Sequence, residues 1–341
     1  MAASYKIERL LIKDVDLLFE FKQRLMPDNS KWMDRPRWYW LYKDNPFINK
    51  LPVWVIKSNG RIVGSISAIV FKMNNEGESF TAYHGADFFV EEGFRGLPAL
   101  RLFKKMASDG DLVVAANLSP DAKKIFLKMG FVDFSDHLYA ARVILSSGNY
   151  SFNRFLVKRL VQNFMKVGTR LIGYEASISK DISDNYELLW KRIVKRREYG
   201  IEKSRSYLRW RYAQCPSTQY DFISITLQGN LKCLAVASII ADNGTGGSNG
   251  LLFDLLLPEN DYFVLIAALS AIIDYFNKKG CDLFLMHWNA SWAKPILRGL
   301  GFWITKSDLG WLVYTRKDDE KLQKLMHPGE WYFSLGDTDK Y

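Results

Sequence analysis

The segment FFVEEGFRGLPALRLFKKM, Phe88–Met106, joins an apolar strand to a helix through a loop that contains Gly93 and Gly96. Its first three residues complete the stretch FTAYHGADFFV, which is rich in the aromatic residues favoured in strands. The stretch ALRLFKKMA has its apolar residues at helical spacing. The segment therefore predicts a strand, a glycine-containing loop and a helix in immediate succession.

The residues on either side extend this unit into a longer order of elements. Upstream, YKIERLLI predicts a strand and DVDLLFEFKQRLM a helix. A second helix stops before Pro46, and two strands meet at a turn at Gly60. Downstream, DLVVAAN predicts a strand, SPDAKKIFLKMG a helix and HLYAARVIL a final strand. Together these elements form one unit of mixed strands and helices.

A second copy of the unit follows the first. Four pairs of features match in order, at separations of 169 to 172 residues: Gly60 with Gly229, the W-x-Y-x-x-x-P motifs at Trp40–Pro46 and Trp210–Pro216, the A-K-x-I-x-x-x-x-G-F motifs at Ala122–Phe131 and Ala293–Phe302, and Asn117 with Asn289. Chance does not account for four ordered matches, so the chain is a tandem repeat. We expect a first lobe over 1–148, a basic amphipathic connecting helix over 149–168, and a second lobe with a C-terminal tail over 169–341.

The composition narrows the class of protein. The chain has 341 residues, of which 48% are hydrophobic, and this is enough for two globular cores. No uncharged apolar run approaches about 18 residues, so we expect neither a signal peptide nor a membrane-spanning helix. Three widely spaced cysteines indicate reduced thiols in a cytoplasmic protein. The motifs of zinc hydrolases and P-loop enzymes are absent from the sequence, so we expect no metal cofactor.

Positive charge is concentrated in the middle of the chain. Residues 154–211 contain 15 Lys or Arg and 6 Asp or Glu, a net charge of +9 in a chain whose total is +10. Within this stretch, NRFLVKRLVQNFMKV places apolar residues on one helical face: Phe155, Leu156, Leu160, Val161, Phe164 and Val167. Four interpretations stay open: a solvated helix face with a linker, an acidic cofactor or substrate, an anionic membrane surface, or RNA.

The Phe88–Met106 segment and the N-x-x-x-x-A…GF pattern after it resemble the GNAT superfamily of acyl-CoA N-acyltransferases. Val90, Phe94, Arg95 and Gly96 match the family loop V-x-P-x-Y-R-G-x-G-x-G/A, with Phe94 where that loop has Tyr. The resemblance implies an α+β fold (an α/β mixed sheet) of two GNAT-like lobes, each a mixed, mostly antiparallel sheet flanked by helices. It also implies that backbone amides at the helix start hold the pyrophosphate of an acyl-CoA, here acetyl-CoA, because N–H groups and the helix dipole stabilise anions.

The family pattern assigns a set of cofactor contacts to the first lobe. The expected acyl-CoA contacts are Phe88, Phe89, Val90, Phe94, Arg95, Gly96, Leu97, Ala99, Leu100, Asn117, Lys123 and Phe126. Three positions depart from the family. Pro98 has no N–H to donate, Leu100 stands where Gly or Ala is usual, and Phe126 replaces the Tyr that protonates the departing thiolate. These departures weaken the expected site.

The second lobe departs further from the family. Its corresponding loop, DLLLPENDYF, has no glycine and carries Asp254, Glu259 and Asp261, whose negative charge would repel a pyrophosphate. Leu297 replaces the family Tyr. We therefore assign the acyl-CoA site to the first lobe and expect the second to shape the substrate site or to act as a scaffold.

His84, Asp87 and Asn117 are the expected catalytic residues. Acyl transfer needs a neutral amine, so a base or a water relay must accept a proton. His84 and Asp87 precede the loop on one strand, three residues apart, so only one can face the acyl group unless a bulge intervenes. Asn117 ends the neighbouring strand, where it either binds the cofactor or anchors the following helix.

The resemblance implies an enzyme, an acyl-CoA-dependent N-acetyltransferase that acts on an amino-sugar or another small amine by direct transfer. The aromatic C-terminal stretch GEWYFSLGDTDKY resembles bacterial GNAT proteins associated with surface-polysaccharide synthesis. Two alternatives stay open: a Fem-like aminoacyl transferase that uses tRNA, and a non-catalytic scaffold docked on an anionic membrane through residues 153–167. The expected location is the cytoplasm, or the inner face of the membrane as a peripheral protein.

Overall fold

A computed structural model describes residues 4–27, 33–75, 78–146, 152–195, 199–242, 244, 246–258, 260–315, 322, 326 and 331–338. The helices of these residues are α1 Val15–Leu25, α2 Arg35–Tyr42, α3 Leu97–Asp109, α4 Pro120–Lys128, α5 Phe152–Leu171, α6 Tyr186–Val194, α7 Arg205–Leu208, α8 Tyr262–Lys278 and α9 Lys294–Gly299. The strands are β1 Lys6–Arg9, β2 Val53–Ser58, β3 Arg61–Asn75, β4 Glu78–Val90, β5 Leu112–Ala116, β6 Val132–Asp133, β7 Tyr139–Ile144, β8 Tyr174–Ser179, β9 Tyr199–Ile201, β10 Asp221–Leu227, β11 Asn230–Ala241, β12 Ser248–Leu256, β13 Leu283–Trp288, β14 Trp303–Lys306, β15 Trp311–Thr315 and β16 Trp331–Tyr332.

The chain divides into two compact units, and each contains one mixed sheet. The first unit comprises Met1–Phe134, Cys215–Ser217 and Gly310–Met326. The second comprises Ser135–Gln214, Thr218–Leu309 and His327–Tyr341. This confirms the predicted α+β class with two lobes. Short 3-10 turns at Ile12–Asp14, Glu92–Phe94, Ser135–His137, Ser291–Ala293 and Leu335–Asp337, and a π-helical turn at Arg209–Ala213, connect the main elements.

The sheet of the first unit has the strand order β1-β2-β3-β4-β5-β15-β6. Along this order the neighbouring strands are antiparallel except β4 with β5, which α3 joins as a crossover helix. The β2–β3 hairpin turns at Asn59 and Gly60, which both have positive φ, the backbone that a tight two-residue turn requires. The predicted turn at Gly60 is confirmed.

The core of the first unit lies between α3 and its sheet. Trp54, Ile66 and Tyr83 of the sheet pack against Leu102 and Met106 of α3 in one buried cluster. The apolar residues of α3 follow helical spacing and its charged residues face solvent, so this helix buries one face and exposes the other. Burial of the α3 face fixes the start of the helix against the end of β4.

The sheet of the second unit has the equivalent strands in the same order, β8-β10-β11-β12-β13-β7-β14. Only β12 and β13 are parallel in it, and α8 joins them. A short parallel pair of β9 with β16 also belongs to this unit. The β10–β11 hairpin turns at Gln228 and Gly229, both with positive φ, as the repeat predicts for Gly229.

The two units exchange one strand relative to the two sequence copies. Strand β7 ends the first copy, yet it pairs with β13 and β14 of the second sheet. Strand β15 ends the second copy, and it pairs with β5 and β6 of the first sheet. The boundaries of the compact units therefore differ from the sequence boundaries 1–148, 149–168 and 169–341. The connecting helix is α5, Phe152–Leu171, and it belongs to the second unit.

Candidate functional site

The loop between β4 and α3 presents backbone N–H groups at a helix start. Gly96 precedes the helix with φ 81°, a left-handed conformation that suits glycine, and Leu100 N–H bonds to its carbonyl at 3.0 Å. The N–H groups of Leu97 and Ala99 come before the first complete turn, where a helix leaves amides without partners. Pro98 lies between them in the first turn and has no N–H. Arg95 is exposed beside this helix start and offers one positive charge there.

A bulge interrupts β4 immediately before this loop. Ser67 pairs with Ala86 and Ser65 with Phe89, so Asp87 and Phe88 face a single residue of β3. Asp87 has φ 49°, the left-handed region that a residue with a side chain adopts at a cost. The bulge changes which side chains share a face, and this is the condition under which both His84 and Asp87 could serve one site.

A buried lysine holds the bulge in place. Lys22 of α1 is 1% exposed, and its Nζ lies 2.9 Å from Oδ2 of Asp87. The same Nζ lies 5.6 Å from the ring centre of Phe19 and 5.8 Å from that of Phe89. A buried cation needs a compensating anion, so the pair fixes the Asp87 carboxylate against α1. The sequence analysis missed Lys22, because its only signal was a lysine among the apolar positions of α1.

His84 lies in an aromatic environment. It is 1% exposed and stands beside Ile69 of β3 and Val114 of β5. Its ring centre is 6.2 Å from that of Phe71 and 5.8 Å from that of Trp311. The structure therefore places this predicted base inside the sheet layer, whereas Asp87 lies nearer the surface at the bulge.

The sheet opens beside the bulge. Strands β4 and β5 pair in parallel from Ala82 with Leu112 to His84 with Val114. The pairing of these strands ends at His84, although β4 continues to Val90 and β5 to Ala116, and Gly85 to Val90 are half-buried or exposed. The two strands therefore separate beyond His84 and leave an opening, with the bulge on one side and the end of β5 on the other. Phe88, Phe89 and Val90, predicted as cofactor contacts, lie along it.

Asn117 closes the other side of this opening. Its φ is 52°, its N–H bonds to the carbonyl of Gly310 at 3.1 Å, and its Oδ1 accepts the N–H of Gly310 at 3.3 Å. Asn117 thus joins the end of β5 to the residue that precedes β15. The following helix α4 has its own cap, Ser119, whose side chain accepts the N–H of Ala122.

The predicted contacts on α4 have partners within the protein. Lys123 forms an ion pair with Asp133 at 2.6 Å. Phe126 packs edge-on against Phe103 and Phe131, with ring centres 5.2 and 4.9 Å away. Phe126 is thus part of the apolar contact between α4 and α3.

A groove of about 520 Å³ runs between α3 and the end of α4. Leu100, Phe103, Phe131 and Tyr314 supply apolar surface to it, and Lys104 and Lys128 supply charge. An aromatic, doubly cationic groove suits a planar ring with an attached phosphate. The sequence analysis predicted only Leu100 here, because the lysines look like ordinary solvated helix residues.

The second unit fills its corresponding opening with its own C-terminal segment, Trp331–Thr338. Strands β12 and β13 pair in parallel only from Asn249 with Leu283 to Leu252 with Met286. Beyond this point the hydroxyl of Tyr332 donates to the carbonyl of Leu255 at 3.0 Å and accepts its N–H at 3.3 Å. The N–H of Phe333 bonds to Oδ1 of Asn289 at 3.0 Å.

A buried charged network anchors the C-terminal segment. Lys203 is 0% exposed and contacts the carboxylates of Asp254, at 3.2 Å, and Asp337. Ser334 donates to Asp254 at 2.5 Å, and the hydroxyl of Tyr212 donates to the same carboxylate. Burial alone lowers the pKa of Lys203, but the two carboxylates outweigh it and raise that pKa above 10.5.

The start of α8 is unsuited to an anion. Asp261 caps this helix by accepting the N–H of Val264 at 3.2 Å, so a carboxylate occupies the position where a phosphate would bind. The expectation that Asp254 lies near this helix start is wrong, because Asp254 is buried on β12 beside Lys203. Glu259 lies outside the described residues. Within the described part of the chain, His, Cys, Asp and Glu form no group of three that could hold a metal.

Solved structures share this fold. Protein-family models give no match, and neither do curated protein sequences. A conserved Enterococcus faecalis protein of unknown function, a probable N-acyltransferase, superposes with a TM-score of 0.63 at 9% identity, over 92% of this chain and 72% of its own. A GCN5-related N-acetyltransferase from Anabaena variabilis gives 0.59 at 10%, over 92% and 73%. The chain has a GNAT fold.

A solved structure with a bound acyl-CoA also superposes on this chain. Saccharomyces cerevisiae N-myristoyltransferase, solved with myristoyl-CoA and inhibitors, gives a TM-score of 0.53 at 13% identity, over 92% of this chain and 81% of its own. At identities this low, the superpositions establish a shared fold and nothing more specific. Across the described residues, no helix combines the length and the apolar character needed to cross a membrane.

Proposed function

We propose that the protein is an acyl-CoA-dependent N-acyltransferase whose cofactor binds to the first unit. The observation that carries the proposal is the opening between β4 and β5, which lies next to the Gly96 helix start. In the second unit the corresponding opening holds Trp331–Thr338, and its helix start carries Asp261. One open cleft and one filled cleft favour a single cofactor site.

We assign three parts of the proposed cofactor to three groups of residues in the first cleft. The pyrophosphate would bind to the N–H groups of Gly96, Leu97 and Ala99 and to the side chain of Arg95. The pantetheine arm would lie between the end of β4 and Asn117. The adenine and the 3′-phosphate would occupy the α3–α4 groove, where Lys104 and Lys128 offer charge. Phe94 packs against Tyr5, with ring centres 6.4 Å apart, and would stiffen the loop.

The proposed reaction is direct transfer. The neutral amine attacks the thioester carbonyl carbon, the C–S bond breaks, and coenzyme A leaves as a thiolate. Backbone N–H groups at the bulge would stabilise the oxyanion, because fixed dipoles need no reorganisation during the reaction. Phe126 cannot donate a proton to the thiolate, so the proton that leaves the amine would reach the thiolate through water and Asp87. We propose that Asp87 accepts the amine proton through a water molecule. His84 would support β4, the strand that carries Asp87.

The proposed acyl group is acetyl and the proposed acceptor is an amino-sugar or a related small amine. The acceptor proposal is supported by the resemblance to GNAT proteins of bacterial surface-polysaccharide synthesis, and the proposed cytoplasmic location by the three widely spaced cysteines. A Fem-like transferase would instead bind an aminoacyl-tRNA, and the +9 charge of residues 154–211 is the feature that favours it.

Calorimetric titration with acetyl-CoA tests the proposal. We expect saturable heat, weakened by R95A and strengthened about fivefold by P98A, because one added N–H contributes about 1 kcal/mol to phosphate binding. P295A is the matched control, since Pro295 lies in the first turn of α9 in the second unit. Absence of heat up to millimolar acetyl-CoA would contradict the proposal. Binding of tRNA with no binding of acetyl-CoA would favour the Fem-like alternative.

A further inference from the structure

Helix α5 exposes an apolar stripe. Leu160 is 61% exposed, Phe164 81%, Val167 56% and Leu171 83%. Their spacing places them on one face of the helix. The predicted stripe members Phe155 and Leu156 have side chains outside the described residues, and Val161 is half-buried. Apolar side chains of this size that are more than half exposed at consecutive turns form a patch that water solvates poorly.

The opposite face of α5 is attached to the second unit. Nε2 of Gln162 donates to the carbonyl of Leu300 at 3.2 Å, and Nζ of Lys166 lies 2.5 Å from the carboxylate of Asp274 on α8. Thr169 is buried on the same side. The helix is therefore held with a fixed rotation, and the apolar stripe faces outward.

The charge of α5 is of one sign. Its 20 residues include Arg154, Lys158, Arg159, Lys166 and Arg170 and contain no Asp or Glu. Arg159 and Arg170 are exposed. Cations beside an apolar stripe match the two layers of a bilayer surface, with anionic headgroups outside and acyl chains beneath.

We infer that α5 binds the protein to an anionic phospholipid membrane. Phe164 and Leu171 insert below the headgroups, and Arg159 and Arg170 attract the anionic lipid. The inference is independent of the acyltransferase proposal, since it uses only residues of the second unit.

Vesicle flotation tests the inference with the full chain. The probes are vesicles of phosphatidylcholine alone and vesicles in which about one quarter of the lipid is phosphatidylglycerol. We expect flotation with the anionic vesicles only, at least a tenfold loss of affinity in F164S/L171S, and a smaller loss in R170Q. L188S is the matched control, because Leu188 is 63% exposed on α6, apart from the stripe, and we expect it to float like the wild type.

Five results would overturn the inference, four of them in the vesicle experiments. These are the absence of flotation with both vesicles, equal flotation with both, an equal loss in L188S and F164S/L171S, and a dimer that F164S/L171S dissociates while vesicles do not bind. Binding of tRNA without binding of vesicles would also overturn it and would assign the basic helix to RNA. All substituted side chains are exposed, so the variants should fold, and their circular dichroism spectra should match that of the wild type.

Discussion

At the scale of single residues, two buried lysines organise the two units. Lys22 pairs with Asp87 at the bulge of the first sheet, and Lys203 pairs with Asp254 and Asp337 in the second. Each lysine reaches a carboxylate more than 50 residues away in sequence. The pairs fix the two clefts differently, since Asp87 borders an open cleft and Asp337 belongs to the segment that fills the other.

The left-handed backbone of Asp87 gives a first prediction. In the K22M background, which removes the unpaired cation, D87G should be more stable than D87A by about 1 kcal/mol, because alanine resists positive φ. Urea unfolding of the two variants measures the difference. At Ser108 in α3 the order should reverse, with S108A more stable than S108G. Equal stabilities at position 87 would show that the bulge lacks this conformation in solution.

The raised pKa of Lys203 gives a second prediction. Between 10.5 and the folded-state pKa, the folded protein keeps the Lys203 proton while the unfolded chain releases it. The unfolded state then binds fewer protons, so the free energy of unfolding should decrease as the pH rises above about 10.5. Below that pH the contribution of Lys203 is fully present. Urea unfolding at a series of alkaline pH values measures this slope, and a stability that increased with pH in this range would contradict the prediction.

At the scale of elements, equivalent helices of the two units differ in how they begin. Helix α3 starts at a glycine with open amides, whereas α8 starts at a capping aspartate. The strand pairs β4–β5 and β12–β13 both separate after three or four residue pairs. The C-terminal segment forms hydrogen bonds along β12 and β13 and fills the separation between them. The separation between β4 and β5 remains a cleft.

Gly336 gives a third prediction, at the scale of the C-terminal segment. A Cβ at this position would overlap the hydroxyl of Tyr212 and come within 2.9 Å of the Asp254 carboxylate. G336A should therefore destabilise the protein by about 1–3 kcal/mol through overpacking. G299A is the control, since a Cβ there meets no atom within 4 Å, and it should be neutral or slightly stabilising. Thermal unfolding compares the two, and equal melting temperatures would argue against the anchored segment.

At the scale of the whole molecule, the exchange of β7 and β15 makes each unit depend on both sequence copies. Without β15, strand β5 of the first sheet would have an unpaired edge and β6 would lose its partner. The second sheet has the same need for β7, which lies between β13 and β14. An unpaired internal strand edge favours aggregation.

The strand exchange gives a fourth prediction. The fragments Met1–Gly148 and Asn149–Tyr341, produced separately, should fail to unfold cooperatively, because each lacks an internal strand of its sheet. Produced together, they should associate and regain a cooperative transition. Circular dichroism during urea titration measures both. Cooperative unfolding of Met1–Gly148 alone would contradict the exchanged arrangement.

The sequence predicted the elements well because their signals are local. Helical spacing in ALRLFKKMA and the turns at Gly60 and Gly229 depend on neighbouring residues only, and so does the Gly96 helix start. Lys22, Lys104, Lys128 and the C-terminal segment could not be assigned to sites this way. Their contacts join residues far apart in sequence, and a single sequence carries no record of such pairs.

The sequence by itself determined that two similar units of strands and helices exist and that the first keeps a glycine at the start of α3. Tertiary structure alone decided that β7 and β15 exchange sheets, that Asp87 lies in a bulge opposite Lys22, and that Trp331–Thr338 fills the second cleft. The physical reason is that two similar copies offer the same strand positions and the same hydrogen-bonding edges. Only the packing of the complete chain determines which strand fills each position.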